Sequence, residues 1–220
     1  MSILKPIQDI LLAILRFFYD WSGDYGLAII LLTVSVRVLM LPLTIKQTKS
    51  MLEMKKLQPK LKKLQEKHKG DKQKLQEEIM KFYSDHKVNP LAGCLPLLLQ
   101  LPIMFSLFSV LQLKDAKLGH SFLFIIKDLG LPAVTARLSL PTTALVPYLV
   151  LIVVLVVSTY IPSKMMSSDP QQDKMMLFMS VFMAYLGWTL PAGVLLYLVV
   201  SNLWTVGQQY ITLRGTKAVT

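Results

Sequence analysis

The chain of 220 residues is 53% hydrophobic and 17% charged, with a formal net charge of +11 and a mean hydropathy of +0.50. A soluble domain carries about 25% charged residues, so these long charge-free stretches argue against a water-soluble fold and point to helices that cross a bilayer. One cysteine, Cys94, excludes an intrachain disulfide, and with three histidines it leaves a poor ligand set for structural zinc.

In chain order, Met1–Gly23 does not read as a cleaved signal peptide. Asp9 and Arg16 interrupt its apolar run, and no small-residue cleavage site follows. Ile3, Ile7, Ile10, Leu11, Ile14, Phe17 and Phe18 recur at helical spacing with Lys5, Asp9, Arg16 and Asp20 between them. Residues 1–24 are therefore predicted as an amphipathic helix, lying at a membrane interface or packed on the protein's own surface.

About 20 apolar residues are needed to cross a bilayer core as a helix. Residues 25–45 meet that with one charge, Arg37, and residues 90–113 and 142–161 meet it with none. Met175–Tyr210 runs 36 residues without a formal charge, too long for one crossing and short for two. Gly187, Pro191 and Gly193 fall at its middle, so it divides into a short fourth span, 175–187, and a fifth, 191–210; a single span here, which would put the tail outside at little charge cost, is the alternative. The predicted fold class is all-α: a polytopic membrane protein of five transmembrane helices.

Charge sets the orientation. Residues 46–89 hold 13 lysines against six acids. Placing them in the cytosol brings the loop 162–174 and the tail 211–220 to the same side, which then carries 17 Lys/Arg, while the N-terminus and the loop 114–141 lie outside with six. Within 46–89, Met54, Leu57, Leu61 and Leu64 form one helical stripe, and Leu75, Ile79, Phe82 and Tyr83 a second. Gly70 and Asp71 between them suit a stop and an N-cap. A basic cytosolic helical hairpin follows, with Pro59 predicted to kink or restart its first arm. A solvated linker whose lysines only fix topology is the alternative.

Arg37 carries the most functional information. It lies eight residues before Ile45, about 12 Å inside the cytosolic end of its helix. A charge at such depth is costly, and no predicted span contains Asp or Glu. It is therefore expected to face a wet cavity inside the bundle, or else to snorkel to the headgroups. Thr33 lies one turn before it, and Gln100, Ser106, Ser158, Thr159, Ser201 and Asn202 are the polar residues that other spans offer to such a cavity. Their hydroxyls have the alternative of bonding to their own helices. No phosphate-binding glycine motif is present and no span contains His or Asp, so the chain reads as no enzyme, with no cofactor and no metal.

The segment KKLQPKLKKLQEKHKGDKQKLQEEIMKFYSDHKVNPLAGCLPLLLQLPIMFSLFSVL, residues 55–111, closely resembles the cytosolic hairpin and second core span of bacterial YidC/Oxa family membrane protein insertases. Residues 36–51 resemble the end of the first core span with its functional arginine, here Arg37, and residues 190–211 resemble the last span. The resemblance covers residues 25–211 and implies a minimal five-span insertase and chaperone of the bacterial cytoplasmic membrane. It implies a hydrophilic groove open to cytosol and lipid, client membrane proteins as substrates, and contact with the ribosome, the signal-recognition pathway and the Sec translocon. Lys60, Lys62, Lys63, Lys67, Arg214 and Lys217 are the expected ribosome or lipid contacts; no DNA partner is implied. The chain departs from the family pattern at Leu198, where an aromatic is common, and at 160–163, where a glutamine is common, so those two groove roles are not carried over. A channel or small-solute transporter using the same cavity is the competing reading.

Overall fold

The computed structural model describes residues 5–68, 70–86, 88, 95–112, 122, 125–126, 129–130, 132–139, 142–166 and 170–217. They form eight helices: α1 (Lys5–Ser22), α2 (Tyr25–Lys67), α3 (Lys72–Asp85), α4 (Leu95–Gln112), α5 (Ala133–Ser139), α6 (Thr142–Met166), α7 (Pro170–Thr189) and α8 (Ala192–Lys217). The beginning of the predicted second span, with Cys94, and most of the loop 114–141 lie outside the described residues.

α1 turns one face to the protein, burying Leu11 and Leu15 against α2 and α4. Ile10, Phe17 and Trp21 form a neighbouring stripe and stay exposed, so the helix has two apolar faces, only one of which the protein covers. It ends at Gly23, whose φ of 70° suits a residue without Cβ. Asp24 then starts α2, its Oδ1 accepting from Leu27 N at 2.9 Å. The rings of Tyr19 and Tyr25 stack across this corner with centroids 3.9 Å apart.

α2 differs from the sequence reading. It does not end near Ile45 and does not restart at Pro59: one 43-residue helix passes through Pro42 and Pro59 into the basic arm. It is long and apolar enough to cross a membrane, with mean hydropathy 2.2 over its most apolar 18 residues. His68, not Gly70, closes it, and Asp71 caps α3 by accepting from Lys74 N at 3.0 Å. α3 folds back on α2, yet Met54, Leu57, Leu61 and Leu64 and their partners Leu75, Ile79, Phe82 and Tyr83 are all only half-buried. The hairpin has stripes but almost no interior.

α8 is the central helix. Every residue from Ala192 to Val199 is buried, which requires neighbours on all sides; α2, α4 and α6 supply them. α7 packs on α6 and is longer than the 175–187 span expected from glycine and proline positions. Gly187 lies inside it: a Cβ there would sit 3.2 Å from Ile152 Cγ1 and 3.3 Å from Leu195 Cδ1, so this glycine is a close-packing position, and the chain breaks only at Leu190–Pro191.

The predicted loop 114–141 contributes structure of its own. Ile126, Leu129, Ala133 and Ala136 are buried, Gly193 N donates to Leu129 O at 2.8 Å, and Phe122 N donates to Ile126 O at 2.9 Å. Phe122 packs on Gly26, where a Cβ would overlap its ring. This segment closes the end of the bundle opposite the hairpin.

Candidate functional site

Two side-chain pairs fix how α2 lies on α8. Arg37 meets Ser201 and Thr44 meets Gln208, each across a sequence separation of 164. A constant separation means that the helices run parallel, and seven-residue steps on both keep the seam in register over two turns, as in left-handed near-parallel packing. The end away from the hairpin is apolar, with Ala28, Ile29, Leu32, Val194 and Leu195 buried. Polar contacts begin at Arg37 and continue toward the hairpin.

Arg37 Nε donates to Ser201 Oγ at 2.9 Å, and Nη2 donates to the same oxygen and, at 3.5 Å, to Gln100 Oε1. Gln100 Nε2 in turn donates to the Tyr197 hydroxyl at 2.9 Å. Thus α2, α4 and α8 each contribute to a half-buried guanidinium site. No carboxylate pairs with Arg37 among the described residues, and its Nη1 makes no hydrogen bond to them. Five N–H donors held by one hydroxyl and one amide oxygen leave donor capacity for a visiting acceptor.

The eight predicted residues divide into four groups. Arg37, Gln100 and Ser201 come together. Asn202, the next residue on α8, points to a different neighbour, its Nδ2 donating to Thr159 Oγ1 on α6 at 2.8 Å; successive helix residues diverge by about 100°. That second seam does not join the arginine cluster. Thr33 and Ser158 bond to their own helices, at Ile29 O (2.6 Å) and Leu155 O (3.1 Å), and take no part in either. Ser106 is fully buried with no hydrogen-bond partner.

Tyr197 belongs to the cluster and the sequence reading missed it. The signal was its position one turn before Ser201, on the same face. Gln208 was missed likewise; its Nε2 donates to Thr44 Oγ1 at 2.8 Å, and Thr44 Oγ1 as a donor has Gln208 Oε1 and the Met40 and Leu41 carbonyls each at 3.1 Å. Leu198, where an aromatic was expected from the family pattern, is buried. Of the basic candidates, Lys60, Lys63 and Lys67 are exposed and Lys62 is half-buried on the α2 arm. The side chains of Arg214 and Lys217, at the end of α8, lie outside the described residues. A cavity of about 300 Å³ lined by Phe122, Ile126, Val146 and Val150 lies at the far end and offers no chemistry.

Helices of this apolarity around a polar interior seam define a helical membrane protein. The comparisons agree. Residues 17–218 match the 60Kd inner membrane protein family. A protein of Caldanaerobacter subterraneus subsp. tengcongensis named membrane protein insertase YidC is 40% identical over 94% of this chain and 93% of its own length. A protein of the same name from Syntrophobacter fumaroxidans is 40% identical over 94% of this chain but only 37% of its own length. The crystal structure of an active YidC insertase with its first transmembrane domain resolved superposes with a TM-score of 0.72 at 31% identity, covering 90% of this chain and 45% of that one. The chain belongs to the YidC membrane insertase family.

Proposed function

We propose that this protein inserts client transmembrane segments into a bacterial cytoplasmic membrane, and helps them fold, through the polar seam around Arg37. Five crossings are proposed, by the apolar part of α2 and by α4, α6, α7 and α8, with the N-terminus outside and the hairpin and C-terminus in the cytosol. The seam then opens toward the cytosol, and the packed far end faces outward.

The observation that carries the reading is an arginine without an acidic partner among the described residues, held between three helices by Ser201 and Gln100. A client whose outer segment is acidic or polar meets a positive charge and spare N–H donors partway across the membrane, which lowers the desolvation cost of that segment. Its apolar span then leaves sideways into lipid, and no bond is made or broken. The exposed lysines of the α2 arm supply a basic surface for a ribosome or anionic lipid. The signal-recognition pathway and the Sec translocon are the further partners implied by family likeness.

Purified protein in liposomes, challenged with single-span clients and with an ion-leak assay, tests this. Client insertion without leak is expected. Ion conduction without insertion would replace the insertase by a channel.

A further inference from the structure

The α2–α8 seam continues past Arg37 toward the hairpin, and its polar groups there are uncharged. Seven residues on, about 10 Å along the axis, Thr44 and Gln208 bond to each other. Trp204 lies between Ser201 and Gln208 on the same side of α8, and its indole Nε1 is buried with no acceptor among the described residues. One turn beyond Thr44, Gln47 is 5% exposed, and neither its Nε2 nor its Oε1 has a partner among the described residues. Buried amides and indoles almost always find partners. Among the described residues, one donor–acceptor pair and one further donor are thus unmet on the turns of α2 and α8 that lie on the hairpin side of Arg37.

We propose that Gln47, Trp204 and the Thr44–Gln208 pair form a second, charge-neutral station that takes main-chain amide groups of the passing client. A carboxamide carries both a donor and an acceptor, matching a peptide group, whereas an indole N–H matches a carbonyl. The spacing to Arg37 corresponds to about three residues of extended chain, so one client strand reaches both stations. Arg37 selects by charge; this station engages any sequence, because every client has a backbone. The assignment rests on the insertase reading.

The test uses full-length protein in phosphatidylethanolamine–phosphatidylglycerol liposomes and two single-span clients that differ only in an acidic or a neutral outer segment. Gln47→Leu and Trp204→Phe are each expected to slow insertion of both clients about three- to tenfold, the worth of one or two amide hydrogen bonds. Arg37→Ala is expected to slow the acidic client more than the neutral one. Gln47→Leu should melt no lower than wild type, since it removes a buried amide without a partner. Unchanged insertion of both clients, loss confined to the acidic client, or loss accompanied by a lower melting temperature would each overturn the station while leaving the insertase reading intact. Wild-type protein that inserts neither client would instead overturn the insertase reading itself.

Discussion

Arg37 on α2 and Ser201 on α8 are joined through both Nε and Nη2 of the guanidinium, and Ser201 is completely buried. The Ser201 hydroxyl, with the Gln100 amide oxygen beside it, thus anchors the charge in the bundle while Nη1 stays available among the described residues.

Replacing Arg37 with Ala is expected to leave the fold assembled, because it removes a half-buried charge that has no acidic partner. Insertion of clients with acidic outer segments should fall at least about tenfold, since a hydrogen bond to a charged group contributes about 1.5–3 kcal/mol. Arg37→Lys should retain most activity, since it keeps the positive charge. Insertion rates in proteoliposomes check both, and an alanine variant with full activity on acidic clients removes the mechanism.

The parallel register of α2 and α8 predicts a pattern of cross-links. In a background without Cys94, a Thr44→Cys/Gln208→Cys pair should be joined by a short bismaleimide. Leu43→Cys with Gln208→Cys should not, because Leu43 is turned outward at 40% exposure. Equal yields from the two pairs would contradict the 164-residue register.

Gly26 is predicted to tolerate no side chain. A Cβ there overlaps the Phe122 ring, and overpacking of this kind typically costs about 1–3 kcal/mol. Gly26→Val should therefore lower the melting temperature in detergent, and the added change Phe122→Ala should restore part of the loss. No restoration would mean that the two residues do not touch.

Neutralising Lys60, Lys62, Lys63 and Lys67 together should weaken binding to ribosomes or to anionic vesicles and flatten its salt dependence, because exposed charges are screened over about 10 Å at 0.1 M. Co-sedimentation across a salt series measures this; a variant that binds like wild type at every salt concentration would leave the arm without that role. The same arm should be cleaved early by protease, since its stripes are only half-buried.

On α1, Leu15→Ala should destabilise by about 2–5 kcal/mol, because Leu15 is 1% exposed. Trp21→Ala, at 77% exposed, should leave the melting temperature in detergent unchanged. Equal losses from the two would mean that α1 docks by a different face.

The sequence by itself determined the helical class, the apolar stretches, the basic hairpin with its two stripes and the isolation of Arg37 as a charge without an acid. Those are local or additive properties: hydropathy over a window, spacing on one helix, a count of carboxylates. Tertiary structure alone decided which polar residues meet. Ser201 and Asn202 are neighbours in sequence, yet one serves Arg37 on α2 and the other Thr159 on α6, because helical rotation separates them and α8 sits at the centre. Tyr197 and Gln208 share a helix face with Ser201 by spacing alone, but only the parallel register shows that this face of α8 meets α2 and α4. Gly187, and Pro59 as a point of restart, misled for the converse reason. Helix-breaking is a local propensity, and packing overrides it where a glycine lets helices approach closely; at Pro59 the helix simply continues.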